Sequence, residues 1–518
     1  MKKIVFLGLM IVSVFLLVGC SNTAASATFD NIDRTSKSIT FDVTVDDPDS
    51  EITGYTYVKI YDQQDEVLDS TLLTFVEGET SLTEEALTFD ALDSETIYTL
   101  KVIATIEKKN VELATYEFET QTETDLTINT AEEFMAMSTN RSGNFLLGND
   151  IDFSDVEFVM PFPSGKSFLG TFDGQGYTLS NITIPTVTTY TGVFGNLSTG
   201  SITNLNLDNI TIGDETNPYE ATASSRVGFL TGYVSSSAGA ISDVTISNSQ
   251  MFFKSSSTIS TYVGGAVGEM RGTMNNVAVN DSSINVEITA KADVRVGGVI
   301  GYLYEDAVVN QVSSSGEINF VLNGNDLGDG DDSYVDIAGV IGRNDATDVT
   351  DSVTELYSSM DLNVEMNYNT LEETNSANYS LTVGGLIGYS TATIKEGFYS
   401  GSIDVTQVSS AFEANANIRF NVAGLIGKYF GRLELENLIR FGSGANITVS
   451  TSNDVIVLFD QLVAYDVYSK THVIGVVGPQ NATINGTVIT DLAPVITNSD
   501  TFFTSEFIQN EFDLINVA

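Results

Sequence analysis

The chain repeats a six-residue phrase in which β-branched residues and glycines hold fixed places. It reads VGGAVG at 263–268, VGGVIG at 296–301, IAGVIG at 337–342, VGGLIG at 383–388 and VAGLIG at 422–427. Looser copies are YTGVFG at 190–195, VGFLTG at 227–232 and VIGVVG at 473–478. The closing glycines are spaced by 37, 36, 33, 41, 46, 39 and 51 residues. A drifting period of this size marks a repeat architecture in which each unit buries its apolar face on the next.

Counted back from the closing glycine, positions −5 and −1 are Val or Ile in most copies, and −3 is Gly in seven of the eight. On a single strand these three positions share one face, because side chains alternate with period two. Val and Ile recurring there predict ladders running down a core. Glycine inside a strand packs nothing, so its recurrence marks either a close backbone approach or a bend, and both alternatives stand.

Between copies the alternation continues at 202–207 and 241–246, and again at 284–288, 318–322, 362–366 and 403–405. The simplest reading is three short strands per coil, with polar inserts at 323–333 and 366–378 as the longest protrusions and the expected contact surfaces. Residues 28–122 follow another pattern, with short alternating strands at 39–45, 55–61, 87–89, 98–106 and 115–120, which predicts a β-sandwich. At 123–160 a capping box of Thr130 and Glu133 starts a short helix, read with the first coil as a cap on the solenoid of 161–500. The apolar tail, 501–518, reads as a second cap. The expected fold class is therefore all-β: a sandwich followed by a parallel β-solenoid.

The phrase resembles the GLUG motif (Gly-Leu-any residue-Gly) of large bacterial surface proteins, some immunoglobulin A peptidases among them. Residues 168–184 (FLGTFDGQGYTLSNITI) resemble the coil that precedes such arrays. The likeness spans roughly residues 125–500 and implies a right-handed parallel β-helix. Those peptidases carry a separate zinc protease domain, and no His-Glu-x-x-His occurs here, so their activity is not transferred. Residues 88–104 (TFDALDSETIYTLKVIA) resemble the tyrosine-corner stretch of fibronectin type III domains, with Leu92, Tyr98, Leu100, Val102 and Ala104 in matching places. That likeness implies a spacer or binding module.

Charge and the amino terminus narrow the setting. A net charge of −47 on 518 residues argues against nucleic acid or an anionic membrane surface as partner and keeps a long solenoid soluble. Lys2 and Lys3, an apolar run at 4–18, then Gly19 and Cys20 form a secretion signal (residues 1–19). Leu17-Val18-Gly19-Cys20 resembles the lipobox of bacterial lipoproteins. It implies that Cys20 becomes the first residue, carries a diacylglycerol and holds the chain on the extracytoplasmic face of the cell membrane through the tether 20–27. Cys20 is the only cysteine, so a lipidated chain has no disulfide, catalytic thiol or thiolate metal site.

Little else suggests chemistry. His472, the only histidine, cannot build a multi-histidine metal site, and the acidic loop 325–332 (NDLGDGDD) departs from the spacing of an EF-hand. Residues 173–176 (DGQG) read as a turn, lacking a phosphate-binding lysine. The solenoid's basic residues, among them Arg226, Arg271, Arg295, Arg343, Lys395, Lys428 and Arg432, read as scattered over the repeat, which disfavours a groove for anionic sugar. Cys20 is thus the one residue assigned a role, with no catalytic residue, cofactor or metal. The expected function is a lipid-anchored, non-catalytic surface protein that adheres to an extracellular glycan or to a host or matrix protein. The alternatives are a polysaccharide lyase or glycoside hydrolase on the same scaffold, and a passive coat or spacer.

Overall fold

A computed structural model describes residues 24–489, apart from 76–78, 122–124, 186–187, 291–292, 325–332, 347–351, 369–377, 408–416, 432–434, 442–445, 452–455, 461, 467–472 and 478–480. Cys20, His472, Arg432, the acidic loop and the tail 501–518 lie outside the described residues. Contacts divide the chain into two units, Met1–Glu123 and Thr124–Ala518.

Among its described residues the first unit has seven strands: β1 (Ser26–Arg34), β2 (Ile39–Asp46), β3 (Ile52–Tyr61), β4 (Val67–Leu73), β5 (Ser81–Phe89), β6 (Ile97–Ile106) and β7 (Lys109–Glu119). They form two antiparallel sheets, β1-β2-β5 and β4-β3-β6-β7. Alternation drives the packing. Ile39, Phe41, Val43 and Val45 on one sheet, and Val58, Ile60, Leu100 and Val102 on the other, are almost wholly buried in a common core. The Asp93 amide donates to the Tyr98 hydroxyl at 2.9 Å, closing the corner expected from residues 88–104.

The second unit is a parallel β-helix, and its register decides the coil. Val263, Val296, Ile337, Val383 and Val422 are aligned strand to strand, so each repeat of the phrase makes one coil. The phrase itself is not one strand. It breaks at −3 and −2 into a corner: Thr261–Gly264 runs in one eight-stranded sheet, Gly265 and Ala266 bend, and Val267–Met270 runs in a second eight-stranded sheet. Positions −5 and −1 both still face the core, because the bend turns the second strand back inward.

Both explanations for the glycine at −3 hold together. A Cβ on Gly265 would lie 2.0 Å from the Gly298 carbonyl oxygen, one on Gly298 1.9 Å from the Gly339 oxygen, and one on Gly385 2.2 Å from the Gly424 oxygen. Each corner therefore rests on the backbone of the next, with no room for a side chain.

After the second sheet the chain enters a long folded sheet, as in Thr273–Ile288 and Val308–Gly324. Left-handed residues recur at one register position there, Asn204, Asp243, Asn276, Gln311, Glu355 and Glu396 (φ between 51° and 60°), and bend the sheet at a fixed place, while Asn209, Asn248 and Asp281 form a second such set. Asn and Asp tolerate this conformation best. Their side chains also bridge coils, as where Asn276 Nδ2 donates to Asp243 Oδ1 at 2.6 Å.

The last copy departs from expectation. Val473–Val477 pairs with Glu436–Phe441 in the long sheet, while the two corner sheets end in Ile456–Asp460 and Val463–Asp466. Register aligns Phe459 with Val422 and Val463 with Ile426, so the six-residue phrase is absent from the coil that continues the two corner sheets.

The near end of the core is closed by α1 (Ala131–Met135). The Glu133 amide donates to Thr130 Oγ1 at 3.2 Å, and the Asn129 amide donates to Glu133 Oε2 at 2.7 Å. Phe134 is fully buried, 5.9, 5.8 and 5.4 Å from the ring centres of Phe153, Phe172 and Phe194.

Candidate ligand-binding groove

Alternation turns one residue of each corner strand away from the core on either side of the bend. Before the bend, register aligns Tyr190, Arg226, Tyr262, Arg295, Asp336, Thr382 and Asn421 in successive coils. After the bend it aligns Tyr233, Glu269, Tyr302, Arg343, Tyr389 and Lys428. These positions point away from the core, yet Glu269 keeps only 1%, Asp336 3%, Arg295 6% and Asn421 0% of its accessible surface. Contacts run from one column to the other, so the two sheets meet at a re-entrant angle and the columns line the walls of a groove.

Aromatic and charged groups alternate along it. The Arg226 guanidinium lies 5.5, 5.2 and 5.4 Å from the rings of Tyr190, Tyr233 and Tyr262, and pairs with Glu269. Glu269 also takes Arg271 at 3.2 Å, whose guanidinium stacks 3.9 Å from the centre of Tyr304. One coil on, Arg295 sits 5.3 and 5.7 Å from Tyr262 and Tyr302 and 3.9 Å from Asp336. Arg343 Nε donates to Asp345 Oδ2 at 2.8 Å, its Nη1 lies 3.7 Å from Asp336, and its guanidinium carbon is 4.1 Å from the Tyr389 ring. Lys428 Nζ then lies 5.6 and 4.9 Å from Tyr389 and Phe430. A cation over an aromatic face contributes roughly 0.5–2 kcal/mol, more as water is excluded, so the stripe ties neighbouring coils together.

Burial sets the protonation states. It pushes the Asp336 carboxyl above the ordinary carboxylate range against the pull of Arg295 and Arg343. It also raises the phenols of Tyr233 and Tyr302, with Glu269 adding at the first and Asp345 at the second. The phenols therefore stay neutral and able to donate. The half-buried rings of Tyr190, Tyr262 and Tyr302 offer apolar surface beside them.

This stripe corrects the reading of the basic residues as scattered. Arg226 and Arg295 both lie six places before a closing glycine, and Arg343 and Lys428 both lie one place after. Counting outward from the glycine, and not only inward, was the signal that would have found them. Arg271 joins from three places after, while Lys395 lies in the long sheet within Ile394–Tyr399. Residues 173–176 form the expected turn, with Tyr177 donating to the Gly174 carbonyl at 2.8 Å. A shallow recess of about 610 Å³ lies between Ile184 and Tyr219, beside the 213–218 loop. Among the described residues no three acidic, histidine or cysteine side chains are placed to hold a metal ion.

Neither a known family nor a curated protein matches this chain. Among solved structures it is similar to a family 28 exopolygalacturonase of Yersinia enterocolitica, with 9% identity over 90% of this chain and 100% of that one, at a TM-score of 0.19. A likeness that weak bears on neither family nor activity.

Proposed function

We propose that this chain is a lipid-anchored, non-catalytic surface protein that uses the solenoid groove to bind an extended extracellular ligand, a glycan or a matrix protein. One observation carries the reading: a single stripe of half-buried aromatic rings and fixed charges runs across successive coils of an otherwise acidic molecule. Repetition lets many weak contacts add along one polymer, raising avidity without any strong single site. The lipobox resemblance at Cys20 supplies the anchor, and two or more acyl chains suffice for stable attachment.

A second reading is favoured by Asp336 and Asp345. Both carboxylates meet Arg343, but in unlike surroundings, Asp336 keeping 4% and Asp345 20% of its side-chain surface exposed. A pair of carboxyl groups at one site is what glycoside hydrolysis uses. The test applies residues 21–518 to immobilised polysaccharides and matrix proteins, scoring retention and released fragments together. Retention without fragments supports the binding reading. Fragments from any polymer replace it with the enzyme, and no retention on any of them leaves the passive coat.

A further inference from the structure

One wall of the groove carries a ladder with a longer period than the coil. After the corner, register places Tyr233, Glu269, Tyr302, Arg343 and Tyr389 in successive coils, and the alternation goes on through Lys428 to Tyr465. A tyrosine therefore returns at every second coil. Neighbouring strands lie about 4.7–4.9 Å apart, so these positions are spaced by about 9.4–9.8 Å.

The rings of Tyr233, Tyr302 and Tyr389 are held as a platform. Each is half-buried with an arginine against it: Arg226 5.2 Å from Tyr233, Arg295 5.7 Å from Tyr302 and Arg343 4.1 Å from Tyr389. Each arginine is matched by a carboxylate, Glu269, Asp336 and Asp345 in turn, so the platform asks no charge of its ligand. The Tyr302 hydroxyl donates to Asp345 Oδ2 at 3.0 Å, whereas among the described residues those of Tyr233 and Tyr389 make no hydrogen bond and remain able to donate to a ligand.

The spacing selects a backbone. A polyproline II helix rises about 3.1 Å per residue with three residues per turn, so one face repeats every ~9.3 Å and stays within about 1 Å of the ladder from Tyr233 to Tyr389. Two turns of an α-helix cover about 10.8 Å and fall out of step by about 2–3 Å over the same distance. In an extended strand the third residue along lies at about 10 Å but points to the opposite face. Polyproline II chains make no internal hydrogen bonds, so their carbonyls are free to accept from phenols, and aromatic-lined grooves are how such chains are recognised.

We infer that Tyr233, Tyr302 and Tyr389 form a docking ladder for a single proline-rich strand in the polyproline II conformation, one turn of the ligand to every two coils. The inference rests on the groove being the ligand face and adds that the ligand is a peptide.

The experiment titrates residues 21–518 with poly-L-proline peptides of increasing length, with a Gly-Ser peptide of matched length and with cellohexaose, a neutral glucan. The unaltered chain is compared with Tyr389→Ser, Tyr389→Phe and Tyr177→Ser, the last an exposed tyrosine beside the 173–176 turn. Poly-L-proline alone should bind, its affinity rising until the peptide spans the three rings at about seven residues. Tyr389→Ser should weaken binding about tenfold, Tyr389→Phe less because the ring remains, and Tyr177→Ser should leave it unchanged. The length series uses the unaltered chain and stands even where a variant misfolds. No binding of poly-L-proline, an affinity that does not rise with length, or equal binding of the Gly-Ser peptide overturns the inference. Cellohexaose bound in place of poly-L-proline, and weakened by Tyr389→Ser, overturns it while keeping the groove as the ligand face. Poly-L-proline binding that a folded Tyr389→Ser leaves intact overturns the groove as well.

Discussion

Arg226 and Glu269 stand 43 residues apart in the chain and meet as an ion pair on facing walls of the groove, the carboxylate keeping 2% of its side-chain surface exposed. Three tyrosine rings surround the guanidinium, so neither water nor another acid replaces Glu269 easily. Breaking such a pair from one side leaves a caged charge. Glu269→Gln should cost about 2–4 kcal/mol, toward the lower end because Arg226 keeps a fifth of its side chain exposed. Replacing both partners, Arg226→Met with Glu269→Leu, should cost less than the single change. Denaturant midpoints of the three variants check the order.

The corner glycines give a sharper contrast. Gly298→Ala puts a methyl group 1.9 Å from the Gly339 carbonyl oxygen, so the backbone of the next coil must move. A loss of about 3 kcal/mol or more is expected. Gly176→Ala meets no atom within 4 Å and should cost only the left-handed backbone, about 1–2 kcal/mol. Equal losses would mean that corner stacking is not what holds position −3.

Asp336 makes stability depend on pH in an unusual direction. Its folded pKa is raised above the unfolded value, so between the two the native state holds the proton more tightly. The contribution is fully present below the unfolded value and is lost as pH rises through the folded one. Asp336→Asn removes that dependence. The stability of the unaltered chain relative to Asp336→Asn should therefore fall as pH rises from the ordinary carboxylate range, seen in urea midpoints across about pH 3–7. A difference that grows with pH would show that the arginines outweigh burial.

The anchor is tested apart from the groove. Cys20→Ser removes the sulfur proposed to carry the lipid and should move the protein from the detergent phase to the aqueous phase on phase partition. Partition unchanged by the substitution would mean that membrane attachment, if present, does not pass through Cys20.

Much of the fold was legible because period-two alternation and a recurring glycine are local signals. The inward Val and Ile positions, the capping box at Thr130 and five of the sandwich strands were readable this way, while Ser26–Arg34 and Val67–Leu73, whose faces are mostly exposed, were not. The corner was not. Residues 263–268 satisfy a straight strand as well as a bent one, since positions −5 and −1 face the core in either case, and only the packing of Gly265 on Gly298 chooses the bend. The groove was harder still. Arg226 and Tyr262 look like ordinary polar-face residues until one strand register stacks them and a re-entrant corner buries them.

By itself the sequence determined that this chain is all-β, repetitive and acidic, with a separate sandwich ahead of the repeats, because composition and periodicity are properties of single segments. The tertiary structure decided that each repeat is one coil, that the phrase is a corner, and that arginines, tyrosines and carboxylates from different repeats share one groove. Those outcomes depend on which residues lie 4–6 Å apart across coils, a distance set by the closure of each coil and the register between neighbours.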